Sequence, residues 1–181
     1  MNVLAITDAR YREATRRAVG RYLATLLTAP PVTGHMIKPA MLEGYDAIYI
    51  DLHGIPGSGL LYAKTDKFLD PVLSTEVVKA AYLRGVVVIA TSCYLPETPF
   101  LDAFLERGAT VIGGPGVNYG GRKMVAGAQV LARLILSGLA KGLDAVAALN
   151  QARDRLWWRQ WIDPAVRDAL GYELWRPNDQ T

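Results

Sequence analysis

The 181-residue chain carries 20 Lys and Arg against 17 Asp and Glu, a net charge of +3, with 51% hydrophobic residues and a single cysteine. One cysteine excludes an intramolecular disulfide and two histidines give no zinc-type cluster, so the length fits one self-supporting domain over residues 1–181, with neither metal nor cofactor expected. No stretch nears the roughly 20 apolar residues of a membrane span, no secretory leader is read in the first residues, and the arginines are spread over several helix faces; these features predict a cytoplasmic protein with no membrane or nucleic-acid partner.

In chain order, residues 2–6 form a short apolar run closed by Thr7 and Asp8, a first strand leading into a helix cap. Ala14, Ala18, Tyr22 and Leu26 then recur at helical spacing while Arg12, Arg16, Arg17 and Arg21 take other faces, which predicts a helix over 11–27 ended by Pro30 and Pro31. A brief strand is assigned to 35–38 and a turn of helix to 39–43. The apolar strand 47–51 runs into Leu52, His53 and Gly54. From 55 to 73 Gly, Pro and polar residues dominate, with 60–62 as a hairpin arm and Asp70-Pro71 as a turn. A helix over 74–83, capped by Ser or Thr with Glu76 in its first turn, crosses to the next strand.

That strand, 86–90, shows no polar alternation and is predicted to be buried on both faces, as in a parallel sheet covered by helices. Thr91, Ser92 and Cys93 fall at its carboxyl end. Pro96 and Pro99 delay a helix over 100–106, and strand 109–113 empties into a glycine-rich loop, 114–121. The loop has neither the Gly-Lys-Ser/Thr ending of a P-loop nor the G-x-G-x-x-G spacing. Helices follow over 123–141 and 144–157, a shorter one runs from Asp163-Pro164 to Leu170, and 171–175 closes the chain as a strand. Trp157, Trp158 and Trp161 cluster near a helix end; packing of a terminal helix is the expectation, and a stacking or partner platform the alternative. The alternation of strand and helix predicts a three-layer α/β domain.

The sole thiol sits at a strand carboxyl end, where open α/β sheets bind ligands, although an unpaired cysteine is also among the residues most often simply buried. His53 lies two residues past another buried strand, separated from Cys93 by one helix and an insertion. Adjacent parallel strands are about 4.8 Å apart, so equivalent strand ends would put the imidazole and the thiol in one crevice. A thiolate is the reactive form, and an imidazole can take and return its proton. Gly54 lets its backbone approach a substrate, so its N–H and that of Cys93 are candidates to hold a developing oxyanion. His35 has no such partner and is read as structural.

Asp51-Leu-His-Gly54 with the Gly-rich stretch after it, Ala90-Thr-Ser-Cys93, and the run from Phe100 through Ala109-Thr-Val-Ile-Gly-Gly114 resemble the caspase-like cysteine peptidases, nearest to the CHAT and gingipain-type branch. Residues 126–156 look like that branch's helical pair, ending in Ala148-Leu-Asn-Gln-Ala-Arg153. Tyr172-Glu-Leu-Trp-Arg-Pro177 is similar to its closing strand, without the Gly-Asp pair found there. The resemblance spans 46–177. It implies a three-layer caspase-like fold of flavodoxin-like topology, with a mostly parallel six-stranded sheet ordered 2-1-3-4-5-6 and flanked by helices. It also implies a His53 and Cys93 dyad, an oxyanion hole from Gly54 and Cys93, and hydrolysis of a protein or peptide substrate through a thioester, with room for a regulatory or homo-oligomeric partner. Relatives commonly carry Gly one residue beyond the residue after the Cys; here the sequence is Tyr94-Leu-Pro96. A catalytically inactive caspase-like module that binds a peptide or partner is the alternative, and a flavodoxin-like ligand-binding domain with a buried Cys93 is a third reading. Substrate selection is assigned to loops 55–69 and 114–123. Asp51, Asp66, Asp70 and Glu97 are open as partners for a basic residue, and Arg122 or Lys123 for an acidic one.

Overall fold

Along the central strands successive side chains enter two different cores, and this alternation sets the layers. The computed structural model describes residues 1–118 and 120–177; Tyr119 of the glycine-rich loop and residues 178–181 lie outside the described residues. In chain order the elements are β1 (Val3–Asp8), α1 (Arg12–Val19), β2 (Leu23–Ala29), β3 (Ala47–Asp51), β4 (Leu60–Lys64), β5 (Leu69–Ser74) and α2 (Thr75–Ala80). There follow β6 (Val87–Ala90), α3 (Phe100–Glu106), β7 (Thr110–Gly113), α4 (Ala128–Leu139), α5 (Ala145–Leu156), α6 (Pro164–Ala169) and β8 (Glu173–Trp175).

Six strands form one sheet in the order β2-β1-β3-β6-β7-β8, parallel except for β8, which runs antiparallel to β7. Numbered by their order within the sheet, this is 2-1-3-4-5-6. Leu4, Ile6, Ile48, Ile50, Val88 and Val111 face a core shared with Val78 of α2 and with Phe100 and Phe104 of α3. Val3, Ala5, Tyr49, Ile89 and Ile112 face the opposite core, filled by Leu131 and Ile135 of α4, Leu149 of α5 and Val166 of α6. Period-two alternation between two apolar faces explains why these strands read as unbroken apolar runs. Among the described residues no helix is long and apolar enough to cross a membrane.

Several expected elements are displaced, each for a local reason. The helix expected over 11–27 ends at Gly20, whose φ of +60 leaves the helical region, and Leu23–Ala29 instead pairs with β1 as an edge strand. Its Leu, Ala and Thr positions satisfy a helical spacing equally well, so pairing with β1 decides the matter. Residues 35–38 form no strand; their loop is held where the Gly34 N–H donates to the Pro71 carbonyl at 2.9 Å. Asp70 and Pro71 lie within β5, with Pro71 opposite Tyr62 beside a register shift, where a two-stranded ribbon tolerates a missing N–H. The helix expected from 123 starts at Ala128, after Gly127 at φ +52. Trp157–Trp161 form a 3-10 turn in which Trp157, Trp158 and Trp161 are 63%, 61% and 80% exposed, so these rings do not pack a terminal helix onto the body.

Candidate functional site

β3 and β6 are neighbours with Ile50 opposite Ala90, so their carboxyl ends emerge side by side. His53 and Cys93 both line a cleft of about 270 Å³ there, together with Tyr11, Asp51, Thr91 and Asn118. Cys93 is a free thiol and only partly buried, which contradicts the reading of it as a mere buried hydrophobe. The strand ends are in backbone contact: a Cβ built on Gly54 would sit 2.0 Å from the Cys93 carbonyl oxygen. Only glycine permits that approach. The Gly54 and Cys93 N–H groups donate to no other group among the described residues. The thiol is held by the glycine-rich loop, where the Asn118 N–H donates to Sγ at 3.3 Å and the Asn118 side chain donates to the Ser92 carbonyl at 2.8 Å. Tyr94, directly after Cys93, adopts a left-handed conformation with φ 57, and its N–H donates to the Gly116 carbonyl at 2.7 Å.

Behind His53 stands Asp8, a residue that the sequence presented only as a helix cap. It does cap: its Oδ1 accepts from the Arg10 N–H at 2.8 Å. Its side chain is also fully buried, with Oδ2 3.2 Å from His53 Nε2, 2.7 Å from Arg10 Nη2 and 2.8 Å from the Lys64 N–H. Burial alone would raise its pKa, but the hydrogen bonds from His53, Arg10 and Lys64 outweigh it and hold the carboxyl well below the usual range. Arg10 Nη2 lies 2.5 Å from His53 Nε2 as well. A guanidinium only donates, so with Arg10 in this position Nε2 is the acceptor and the ring proton belongs on Nδ1. If Arg10 keeps only Asp8, an Nε2–H can donate to the carboxylate instead. Nδ1 has no hydrogen-bond partner among the described residues. Tyr11 packs against the imidazole with ring centres 5.8 Å apart.

Asp51 forms the cleft floor. Its carboxylate accepts from Gln129 Nε2 at 2.8 Å, Thr91 Oγ1 at 3.0 Å and Thr15 Oγ1 at 3.1 Å, tying β3 to β6, α1 and α4. Burial pushes its pKa up against these donors. Gln129 also accepts from the Gly121 N–H at 2.9 Å, so one amide fixes both the floor and the end of the glycine-rich loop. Tyr172 is buried under Gly114, and its burial, with Asp51 and Cys93 nearby, raises its pKa well above the ordinary value.

The structure therefore brings together His53, Gly54, Cys93 and Asp51. Asp70 instead lines a separate cavity with Thr33 and His35, so it lies away from the cleft. His35 contacts Thr33 Oγ1 at 3.2 Å. Asp8, Arg10, Tyr11, Asn118 and Gln129 were missed. Asp8 had a findable signal, being an acidic residue at the carboxyl end of a strand whose neighbour ends in His53. No group of three or more His, Cys, Asp or Glu placed to hold a metal occurs among the described residues. No protein-family model matches the chain, and no curated protein matches it.

Proposed function

We propose that the protein is a cysteine endopeptidase of the caspase-like class, with Cys93 as nucleophile, His53 as acid and base, and Asp8 as the residue that orients His53. The observation that carries the reading is the juxtaposition of a partly buried free thiol and a carboxylate-backed imidazole in one cleft, at adjacent strand ends. The 2-1-3-4-5-6 strand order, with a hairpin inserted after the third strand, supports the same class.

In the working tautomer, with Arg10 bonded to Asp8 alone, Nε2–H donates to Asp8 and Nδ1 accepts the thiol proton. The Cys93 thiolate attacks the carbonyl carbon of the scissile bond, while the unoccupied N–H groups of Gly54 and Cys93 receive the developing oxyanion. Collapse breaks the C–N bond, and the imidazolium gives its proton to the leaving amine. Water then gives a proton to Nδ1 as it attacks the thioester; the acid product leaves and the thiol is restored. Neither metal nor cofactor takes part. The Asn118 N–H, donating to Sγ at 3.3 Å, holds the nucleophile in place at the cleft.

The test is turnover of a fluorogenic peptide library, paired with iodoacetamide labelling of the native protein. Wild type should cleave a subset of the library; Cys93→Ala and His53→Ala should abolish cleavage while leaving the melting temperature within a few degrees. A labelled, folded protein that cleaves no peptide would overturn the peptidase reading in favour of a binding module. A thiol inert until denaturant is added would overturn the dyad itself.

A further inference from the structure

On the face built from α1, α4 and α5, residues Val130, Arg133, Leu134 and Ser137 recur at the three- and four-residue spacing of one helix face, yet no other element covers them fully. They form one wall of a cleft of about 430 Å³ whose floor is aliphatic, from Val130, Leu134 and Leu156. Its rim is Arg133, Arg155 and Arg159, with the Trp158 ring as a side wall. A second cleft, of about 210 Å³, adjoins it through the shared Arg133 and Ser137 and adds Arg17 and Arg21. Among the described residues neither cleft is lined by an Asp or Glu. None of these five arginines has a carboxylate partner among the described residues. Two are braced by aromatic rings instead: Arg159 lies 5.8 Å from the centre of Trp158 and Arg21 lies 5.2 Å from that of Tyr22. Trp157, Trp161 and Ile162 add exposed apolar surface beside the groove.

We propose that this groove docks an acidic segment of another protein, seating one aliphatic or aromatic side chain between α4 and α5 while flanking Asp or Glu side chains reach the arginines. Charge complementarity selects the partner, because guanidiniums with no carboxylate partner among the described residues favour carboxylates held in bidentate geometry. The concave aliphatic floor selects a side chain. A bilayer surface cannot fill a cleft, and the aliphatic lining from Val130, Leu134 and Leu156 suits an apolar side chain. Exposed Trp and Arg are also the residue types that anchor protein interfaces. The binding site lies apart from the Cys93 cleft, and the proposal does not depend on any peptidase activity.

The test is selection of a displayed random-peptide library on the full chain, followed by fluorescence-anisotropy titration of the enriched peptides. Expected is a consensus with an apolar residue flanked by Asp or Glu. Its affinity should fall at least tenfold in the double variant Arg133→Glu, Arg155→Glu and in Trp158→Ala, and should weaken as salt rises. Both variants change exposed side chains, and circular dichroism checks that they fold. The proposal is overturned if no such consensus emerges or if the variants bind the peptides as wild type does. It is equally overturned if the arginines and Trp158 mediate binding to phosphatidylserine vesicles or to oligodeoxythymidine while acidic peptides are ignored.

Discussion

Replacing Gly54 by Ala should separate the two halves of the site. The added Cβ would stand 2.0 Å from the Cys93 carbonyl oxygen and 3.1 Å from its carbonyl carbon. Ordinary carbon to carbonyl-oxygen contacts begin near about 3.3 Å, so the His53-Gly54 and Cys93 segments must part by about 1.3 Å. Both obstacles are backbone, and no side-chain rotation relieves them. The ladder resists, since Ile50 pairs with Ala90 and the Thr91 N–H donates to the Ile50 carbonyl at 2.8 Å. Overpacking of this kind costs about 1–3 kcal/mol, at about 2–4 °C of melting temperature per kcal/mol for a chain of this size. A displacement of about 1 Å between reacting groups lowers turnover by about 100-fold. The assay is library turnover beside thermal melting, with Gly59→Ala as control, because its Cβ would meet only the Thr75 hydroxyl at 3.2 Å. Wild-type turnover and melting in Gly54→Ala would refute the claimed backbone contact.

Asp8→Asn should lower turnover by about 100-fold or more, because an amide does not hold the imidazole as the buried carboxylate does. Its stability effect is pH-dependent: a carboxyl with a depressed folded pKa stabilises above its ordinary value of about 3.9 and loses this as pH falls through the folded value. The stability gap between wild type and Asp8→Asn in urea should therefore begin to narrow below about pH 5 and keep narrowing down to about pH 2 and beyond, as pH approaches the depressed folded value; a gap unchanged over that range would contradict the assignment. Gln129→Leu leaves the Asp51 carboxylate and the Gly121 N–H each short of a partner, and should cost about 1–3 kcal/mol or more by urea unfolding. Tyr94→Gly, at a left-handed position, should fall within about 1 kcal/mol of wild type, since relief of roughly 1–2 kcal/mol of backbone strain offsets the lost ring; a loss of several kcal/mol would show that the ring dominates.

The buried strands were legible because helices cover both their faces, which leaves no polar position in a run such as Val-Val-Ile-Ala. β2 was not, because an edge strand of Leu, Thr and Ala following α1 preserves the helical spacing, and its partner β1 is invisible in a local window. Cys93 and His53 stood out as rare residue types at strand ends, and Gly54 as the glycine directly after the histidine. Asp8 was half-legible: its cap to Arg10 is local, whereas its contact with His53 needs β1 to lie beside β3. Gln129 and Asn118 had no signal, since Asn118 sits within the glycine-rich loop and Gln129 reaches the site from beyond it. The tryptophans misled because their composition is that of a core, while the 3-10 turn aims them outward.

The β4–β5 hairpin touches the main sheet through few bonds, and those bonds land on the site. His53 and Tyr62 exchange N–H to carbonyl bonds at 2.8 and 2.9 Å, and the Lys64 N–H completes the shell of Asp8. A two-stranded ribbon is marginal by itself, and this one is anchored by Leu61, Ala63, Val72 and Leu73, which are buried in the same core as Val78 and Phe104. Freeing the hairpin would therefore open that core, so the backbone that aims the imidazole is held by the packing of the sheet as well as by the His53 and Tyr62 bonds. Hairpin and sheet are thereby one unit on heating, and a ligand that clamps the hairpin would raise the melting temperature of the whole chain.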